Sequence, residues 1–152
     1  MPATTPCYIV KRSRIKGKGV FAARAIRKGA RVLEYTGERI TPEEADARYD
    51  DERRAHAHVV LFIVDGKTVI DGGADGGDAR FVNHSCEPNC EAVQQRGRIF
   101  IRALRAIRPG EELCYDYGLE REGKWQPEWD RLYACRCGAA ACRGTMLARR
   151  RR

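Results

Sequence analysis

Three cysteines near the C-terminus have the spacing of a metal-binding motif. Cys135, Cys137 and Cys142 follow the pattern C-x-C-x4-C, with Gly138 between them. Thiolates this close in sequence, beside a glycine that permits a turn, can converge on one tetrahedral zinc ion. Three ligands leave one coordination position open, so a fourth ligand has to come from elsewhere. The alternative is three cysteines that bind no metal.

Further stretches carry side chains suited to binding and catalysis. R-F-V-N-H-S-C-E-P-N-C contains Asn83 and His84, and E-L-C-Y-D-Y-G contains Tyr115 and Tyr117. Out of context, such a histidine is more often a satisfied turn or core residue, and a strand tyrosine is more often a packing residue. The run K-G-K-G-V-F-A is by itself more often a tight hairpin than a cofactor site. The ordered set of motifs therefore carries more information than any one of them.

Taken in order, these motifs resemble the SET-domain protein lysine methyltransferases with a post-SET zinc motif. The resemblance extends over residues 7–147. It implies a mainly β fold of short curved sheets with one inserted helix, a C-terminal pseudoknot and a post-SET zinc cluster. It divides the chain into a SET domain at 7–118, a linker at 119–134, a post-SET zinc-binding segment at 135–148 and a basic tail at 149–152.

The resemblance also implies a binding site for S-adenosylmethionine. The Gly-x-Gly turn that contains Lys18 and Gly19 borders this cofactor in the family, mainly through main-chain groups. Arg80 opens the cofactor-binding core, Asn83 hydrogen-bonds the methionine part of the cofactor, and His84 meets the adenine through its backbone. His84 therefore need not act as a base.

In the family, a cysteine directly after Asn-His-Ser joins the three post-SET cysteines around zinc, beside the active site. Cys86 occupies that position here. The resemblance therefore implies one Zn²⁺ bound by four ligands: Cys86, Cys135, Cys137 and Cys142.

Three tyrosines match catalytic positions of the family. Tyr117 matches the catalytic tyrosine, whose hydroxyl also lies beside the cofactor sulfonium and orients the methyl group. Tyr35 matches a tyrosine that lines the lysine channel. Tyr115 matches a position that controls how many methyl groups are added to the lysine, because its hydroxyl can hold a water where a further methyl group would lie. We therefore expect mainly mono- or dimethyl-lysine; the alternative is that Tyr115 only packs in the core.

Two positions depart from the family's pattern. Val60 stands where many relatives carry a tyrosine that reaches the cofactor carboxylate. Gly77 stands where a Gly-Asn pair is usual after Gly76, which predicts a looser loop before Arg80. Neither position touches the methyl-transfer centre, so we expect activity with reduced cofactor affinity.

Local patterns predict many short strands and one helix. Thr41 as N-cap, Pro42 at the first position and Glu44 closing a capping box predict a helix that extends to about residue 57. The apolar run at 59–64 and the turn Asp65-Gly66-Lys67 predict a hairpin. Residues 118–130 are typical of a polar linker.

Composition fits one compact intracellular domain. The chain has 152 residues, 43% of them hydrophobic and 33% charged, which argues against disorder. It shows no apolar run fit for a signal peptide or a membrane span, and its seven cysteines are typical of reduced thiols. We expect a cytoplasmic monomer with no membrane partner, from a bacterial genome given its heavy arginine use. Delivery to a host cell would place it in the host nucleus or on chromatin.

Net charge is +8, and arginine supplies 23 of the 29 basic residues. Such a charge gives solubility, or it attracts an acidic partner such as nucleic acid. The arginines at 149–152 are either a solvated end or a weak nucleic-acid contact.

The motifs together predict a protein-lysine N-methyltransferase that uses S-adenosylmethionine. Its substrate would be a protein that presents a lysine, such as a histone tail or another basic protein. The alternative is a catalytically silent, zinc-stabilised basic domain that binds peptide or nucleic acid. Intact Asn83, Tyr117 and Gly-x-Gly favour the enzyme, because a pure binding module would not need them together.

Overall fold

The computed structural model describes residues 6–49, 61–119 and 127–148. In these ranges, short strands dominate and two short α-helices and one 3₁₀ helix connect them, which confirms the predicted mainly β fold. The elements are β1 (Tyr8–Arg12), β2 (Lys18–Ala22), β3 (Arg31–Tyr35), β4 (Glu38–Ile40), α1 (Pro42–Arg48), β5 (Leu61–Ile63), β6 (Val69–Asp71), the 3₁₀ helix (Asp78–Phe81), β7 (Asn83–His84), β8 (Cys90–Gln95), β9 (Arg98–Ala103), β10 (Glu112–Tyr115) and α2 (Glu128–Leu132).

The described strands form three small sheets. One has the order β1-β2-β10-β7, the second β3-β9-β8 and the third β4-β6-β5. The strand pairs are antiparallel except for β7 and β10, which run in parallel and pair Asn83 with Cys114 and His84 with Tyr115. This pairing is the contact that the predicted pseudoknot needs, whereas the threading itself stays a prediction. Its consequence is that the Asn-His and Tyr-Asp-Tyr motifs lie side by side.

The core lies between the sheets and is built from alternating strand residues. On β9, Ile99, Ile101 and Ala103 are buried, while Arg98 and Arg102 are exposed. Such alternation buries one face of a strand and leaves the other in water. The buried β9 residues join Val20, Ile70, Val82 and Leu113 in one apolar cluster that also contains Tyr35 and Tyr115. Two of the predicted site tyrosines are therefore fixed by the main core.

Helix α1 begins where the sequence predicts and ends earlier. The Thr41 hydroxyl oxygen accepts a hydrogen bond from the Glu44 main-chain N–H at 3.1 Å. The helix ends at Arg48, because Tyr49 is extended and both side chains turn to the buried carboxylate of Asp71, at 3.0 Å for Arg48 and 3.1 Å for Tyr49. The predicted extension to about residue 57 is thus wrong at Tyr49. Residues 50–60, including the departure at Val60, lie outside the described residues.

The predicted turn between β5 and β6 is present, whereas the predicted polar linker includes a short helix. The Asp65 carboxylate accepts hydrogen bonds from the main-chain N–H groups of Lys67 and Thr68, which closes the predicted turn between β5 and β6. The predicted linker, in contrast, contains helix α2. Trp129 and Tyr133, four residues apart on one face, are buried in a small separate cluster. This cluster anchors the C-terminal segment.

None of the helices in the described ranges is both long enough and apolar enough to cross a membrane. The division at 7–118, 119–134 and 135–148 stays a prediction, and the basic tail at 149–152 lies outside the described residues.

Candidate active site and metal centre

Three of the predicted site tyrosines meet in one aromatic cluster. The ring centres of Tyr115 and Tyr117 lie 4.8 Å apart. Phe62 on β5 joins the two sides of the cluster, with its ring centre 5.4 Å from Tyr35 and 6.5 Å from Tyr115. The sequence analysis missed Phe62, although its place in a predicted strand beside the other motifs was the available signal. The cluster forms a mostly apolar wall that carries phenol hydroxyls.

Burial controls the ionisation of these tyrosines. It raises the pKa of Tyr35 and Tyr115 above the ordinary value, and their proximity to one another raises that of Tyr35 further. Burial also raises the pKa of Tyr117 well above the ordinary value, and the neighbouring Tyr115 and Tyr35 add to this. All three therefore remain neutral phenols at physiological pH. They can donate and accept hydrogen bonds, but none is present as a phenolate base.

Two hydrogen bonds hold Tyr117. Its hydroxyl donates to the carbonyl oxygen of Val82 at 2.5 Å, and its main-chain N–H donates to Nδ1 of His84 at 3.0 Å. Val82 and His84 belong to the segment that runs beside β10, so the parallel pairing of β7 and β10 creates both bonds. The orientation of the Tyr117 hydroxyl is therefore fixed by the Asn-His motif.

Asn83 is joined to the Gly-x-Gly turn. Three acceptors lie within hydrogen-bond distance of its amide nitrogen and share its two N–H donors: the carbonyl oxygens of Lys16 and Lys18, both at 3.1 Å, and the Glu112 carboxylate at 2.9 Å. Three acceptors around one amide nitrogen settle which way the amide faces. A Cβ atom at Gly19 would lie 2.4 Å from a Glu112 carboxylate oxygen, so a larger residue would displace the carboxylate that Asn83 and Ser13 bind. The predicted cofactor-binding residues Lys18, Gly19 and Asn83 are thus brought together.

Sequence reasoning missed two polar residues that brace this turn. Glu112 also accepts a hydrogen bond from the Ser13 hydroxyl at 2.7 Å. Asn89 is buried; its side-chain amide donates to the Glu112 carbonyl oxygen at 2.8 Å and accepts from the Cys114 N–H at 2.9 Å. Both residues stand inside the quoted motifs, but their partners lie far away in sequence, so no local pattern identified them.

Arg80 lies at the other side of the Gly-x-Gly turn. Its guanidinium is 4.4 Å from the ring centre of Phe81, and the Lys18 ammonium is 5.6 Å from the same ring. Two cations around one ring give this end of the site a positive charge suited to an anionic group. The departure at Gly77 does not leave the loop unsupported, because its N–H donates to the Thr36 hydroxyl oxygen at 3.0 Å and Arg80 donates to the Gly76 carbonyl oxygen.

The His84 ring connects the tyrosine cluster to a cysteine. Burial lowers its pKa to about 4; the Asp116 carboxylate partly offsets this effect, and the Arg143 guanidinium adds to it. Because Nδ1 accepts from Tyr117, the proton of the neutral ring lies on Nε2, which is 3.4 Å from Sγ of Cys86. Nε2 therefore donates to the sulfur. The predicted backbone contact of His84 with adenine is a separate matter and stays a prediction.

Four cysteines converge as the sequence predicts. Their Sγ atoms all lie within 4.8 Å of one another, and those of Cys86 and Cys135 are 3.8 Å apart. A Zn–S bond of about 2.3 Å places tetrahedral thiolates about 3.8 Å apart. Main-chain N–H groups of Arg143 and Gly144 point at the sulfurs of Cys86 and Cys142, at 3.3 and 3.4 Å. N–H donors aimed at thiolates fit a zinc-sized ion; the four ligands would be Cys86, Cys135, Cys137 and Cys142.

One of these thiols is already acidic. Burial raises the pKa of Cys137, but main-chain hydrogen bonds at Cys86 and Ala139, together with the thiols of Cys142 and Cys135, lower it to about 6. A lowered thiol pKa favours the thiolate, which is the form that binds metal ions. Cys90 and Cys114, in contrast, are buried, and burial raises the pKa of each to about 12. Those two thiols are packing residues.

A cavity of about 310 Å³ opens beside the aromatic cluster. Phe62, Tyr115 and Tyr117 form one wall, and Glu91 and Asp116 contribute carboxylates. These carboxylates are paired with Arg102 and Arg143, so it is the mostly apolar lining of the cavity that suits a long aliphatic side chain. The remaining walls are Pro88, Cys90, Ala92 and Leu104.

Several named proteins are similar in sequence to this chain. Over 141 residues, the chain is 44% identical to a protein of Emericella nidulans named histone-lysine N-methyltransferase, H3 lysine-4 specific. It is also 44% identical, over 141 residues, to a protein of the same name from Saccharomyces cerevisiae. It is 42% identical over 137 residues to the histone-lysine N-methyltransferase ash1 of Drosophila melanogaster.

These alignments cover most of this chain and little of the relatives. They include 88%, 88% and 86% of the chain, but only 11%, 12% and 6% of the respective relatives. The family model described as the SET domain matches residues 17–118, which contain both the Gly-x-Gly turn and the tyrosine cluster. The chain belongs to the SET-domain family.

Proposed function

We propose that this chain is a protein-lysine N-methyltransferase that uses S-adenosylmethionine. The observation that carries the proposal is the neutral tyrosine cluster next to the Asn83-bound Gly-x-Gly turn. A binding module needs no fixed phenol hydroxyl beside such a turn. The named activity of the relatives supports the same reaction.

The cofactor would lie along the Gly-x-Gly turn. Asn83 and the main chain at Lys18 and Gly19 would hold its methionine part, and the cations of Lys18 and Arg80 would face its carboxylate. The His84 main chain would meet its adenine. When bound, the cofactor supplies an activated methyl group with a good leaving group, so the protein needs no nucleophile of its own.

The tyrosine cluster would prepare the lysine. Its apolar walls disfavour a charged ammonium, which lowers the pKa of an inserted lysine and favours the neutral amine. Tyr117, held by Val82, would place its hydroxyl oxygen where a polarised methyl group needs an electron-rich neighbour. Tyr35 and Phe62 would flank the alkyl chain, and Tyr115 would limit the space for a second or third methyl group.

The substrate would be a basic protein with an accessible lysine. The relatives are named for histones, two of them for lysine 4 of histone H3, so a histone tail is our first candidate. We propose that the protein acts inside a cell, as a monomer, and on chromatin if a host nucleus is its destination. One zinc ion at the cysteine cluster would hold the C-terminal segment in place.

Transfer of radiolabel tests the proposal. The zinc-loaded protein is incubated with S-adenosylmethionine labelled in its methyl group and with histones, nucleosomes or a pool of basic proteins. We expect acid-stable label on lysine in at least one substrate, and none with Tyr117→Phe. Tight substrate binding without any transfer of label would instead support a catalytically silent binding domain.

A further inference from the structure

Arg143 contacts both the cysteine cluster and the turn that carries Tyr117. Its main-chain N–H donates to Sγ of Cys86 at 3.3 Å. Its guanidinium donates to both carboxylate oxygens of Asp116, at 2.7 and 3.1 Å. The Arg143 side chain is 14% exposed and that of Asp116 is 36% exposed, so the arginine side of this ion pair is the more shielded from water. One residue of the C-terminal segment therefore reaches both sites.

Asp116 is the residue between the two cluster tyrosines. Its Oδ1 also accepts the Gly118 N–H at 3.0 Å, which closes the turn behind Tyr117. Gly118 has a φ of +55°, a conformation that glycine adopts readily. A bidentate guanidinium–carboxylate pair fixes direction as well as distance. The backbone on both sides of Tyr117 is thus held from the side of Arg143.

We propose that Arg143 is a positioning residue that ties the cysteine cluster to the Tyr115–Tyr117 turn, so that zinc binding sets the position of the Tyr117 hydroxyl. The inference rests on the proposed zinc site and the proposed methyl transfer. It has a second consequence for the metal. The pair with Asp116 also holds the segment whose main-chain N–H groups, at Arg143 and Gly144, donate to the sulfurs of Cys86 and Cys142. Arg143 therefore slows the loss of zinc as well as orienting Tyr117.

The rate of zinc release tests whether Arg143 stabilises the metal site, and this measurement does not depend on enzyme activity. Arg143→Gln is compared with Arg136→Gln, which makes the same charge change at an exposed position between two of the cysteines. Release is followed as transfer of zinc to a coloured chelator. We expect Arg143→Gln to release zinc about tenfold faster or more, as is usual when a residue that supports the metal ligands is substituted. Arg136→Gln should stay within about twofold of the unmodified protein. Equal release rates from the two variants would overturn the proposal.

The turnover of an Asp116 variant tests whether the ion pair with Arg143 positions Tyr117. Asp116→Asn keeps the size of the side chain and lies outside the cluster, so it is expected to fold and to hold one zinc. At full zinc loading we expect kcat to fall about tenfold with little change in the KM for cofactor, since a misplacement of about 1 Å costs up to about 100-fold. The double variant with Arg143→Gln should lose no more activity than the less active of the two single variants, because the two side chains act as a unit.

Additive losses, or an unchanged kcat in Asp116→Asn, would contradict the link. Turnover is expressed per bound zinc, so a folding defect that only lowers the active fraction does not imitate the effect. An Arg143→Gln protein that retains no zinc would support the proposed role of Arg143 in holding the metal. The turnover of Asp116→Asn then decides whether the ion pair positions Tyr117. Absence of methyl transfer in the unmodified protein would remove the proposed function, whereas the comparison of zinc release would still decide whether Arg143 stabilises the cluster.

Discussion

Replacing Tyr117 by phenylalanine removes one oxygen atom and leaves the aromatic ring in place. The lost hydroxyl donates to the Val82 carbonyl oxygen at 2.5 Å, so the fold loses one hydrogen bond, worth about 1 kcal/mol. In a chain of 152 residues, this lowers the melting temperature by about 2–4 °C. The ring keeps its contacts with Tyr115 and His84, because these do not involve the oxygen.

The effect on turnover should be much larger than the effect on stability. Removing one preorganised polar group beside a reacting centre costs about 100- to 1000-fold in kcat, equivalent to about 2.7–4 kcal/mol of barrier. We expect a loss of this size at saturating cofactor. Binding of S-adenosylhomocysteine, measured by calorimetry, should stay within about threefold, because main-chain groups and Asn83 hold the cofactor.

Tyr8→Phe is the matched control. Its hydroxyl donates to the Asp78 carboxylate at 3.1 Å and lies outside the aromatic cluster. This variant loses the same atom and one hydrogen bond, so its turnover should stay within about twofold of the unmodified protein. The reasoning on Tyr117 is refuted if Tyr117→Phe keeps near-normal kcat, or if both variants lose activity equally.

Three further predictions concern product, metal and pH. Tyr115→Phe should shift the product from mono- and dimethyl-lysine toward trimethyl-lysine in mass spectra, since it removes the hydroxyl that we propose holds a water. The expected effect is about 1 kcal/mol, or several-fold in rate, and unchanged product states would contradict it. Prolonged chelation should remove one zinc per chain and lower both the melting temperature and kcat together, with recovery on adding zinc; elemental analysis that finds no stoichiometric zinc in unchelated protein would contradict it. The free energy of unfolding should fall as pH rises above about 10, because Tyr35, Tyr115 and Tyr117 have folded pKa values above their unfolded value and the unfolded chain loses their protons first. Denaturation curves on the two sides of that pH measure this loss, and equal unfolding free energies would count against burial of the three hydroxyls.

Local sequence chemistry was sufficient for several parts of this fold. The helix start at Thr41 and the turn at Asp65 depend on hydrogen bonds within three residues, so the pattern itself contains the information. The convergence of Cys135, Cys137 and Cys142 follows from their spacing, and only the fourth cysteine needed the family resemblance. The strand alternation of β9 could likewise be recognised from the order of its residues.

Contacts across long sequence distances could not be predicted in the same way. Helix α1 ends where Arg48 and Tyr49 reach Asp71, and nothing in the helix sequence marks that partner. The bond between Asn83 and Glu112 and the pair of Arg143 with Asp116 join motifs that sequence analysis treats separately. The Asn83–Glu112 and Arg143–Asp116 contacts both involve β10 or the turn that directly follows it. They are also the contacts that orient the candidate site.

Tandem mass spectrometry of a reaction with S-adenosylmethionine that carries a trideuterated methyl group tests the central claim most directly. Zinc-loaded protein and histone substrates are incubated together, and Tyr117→Phe serves as the inactive control. We expect trideuteromethyl groups on the side-chain nitrogen of a lysine, mainly one or two per residue, and none with Tyr117→Phe. Absence of label from every basic protein supplied, with zinc and cofactor demonstrably bound, would contradict the assignment as a lysine methyltransferase.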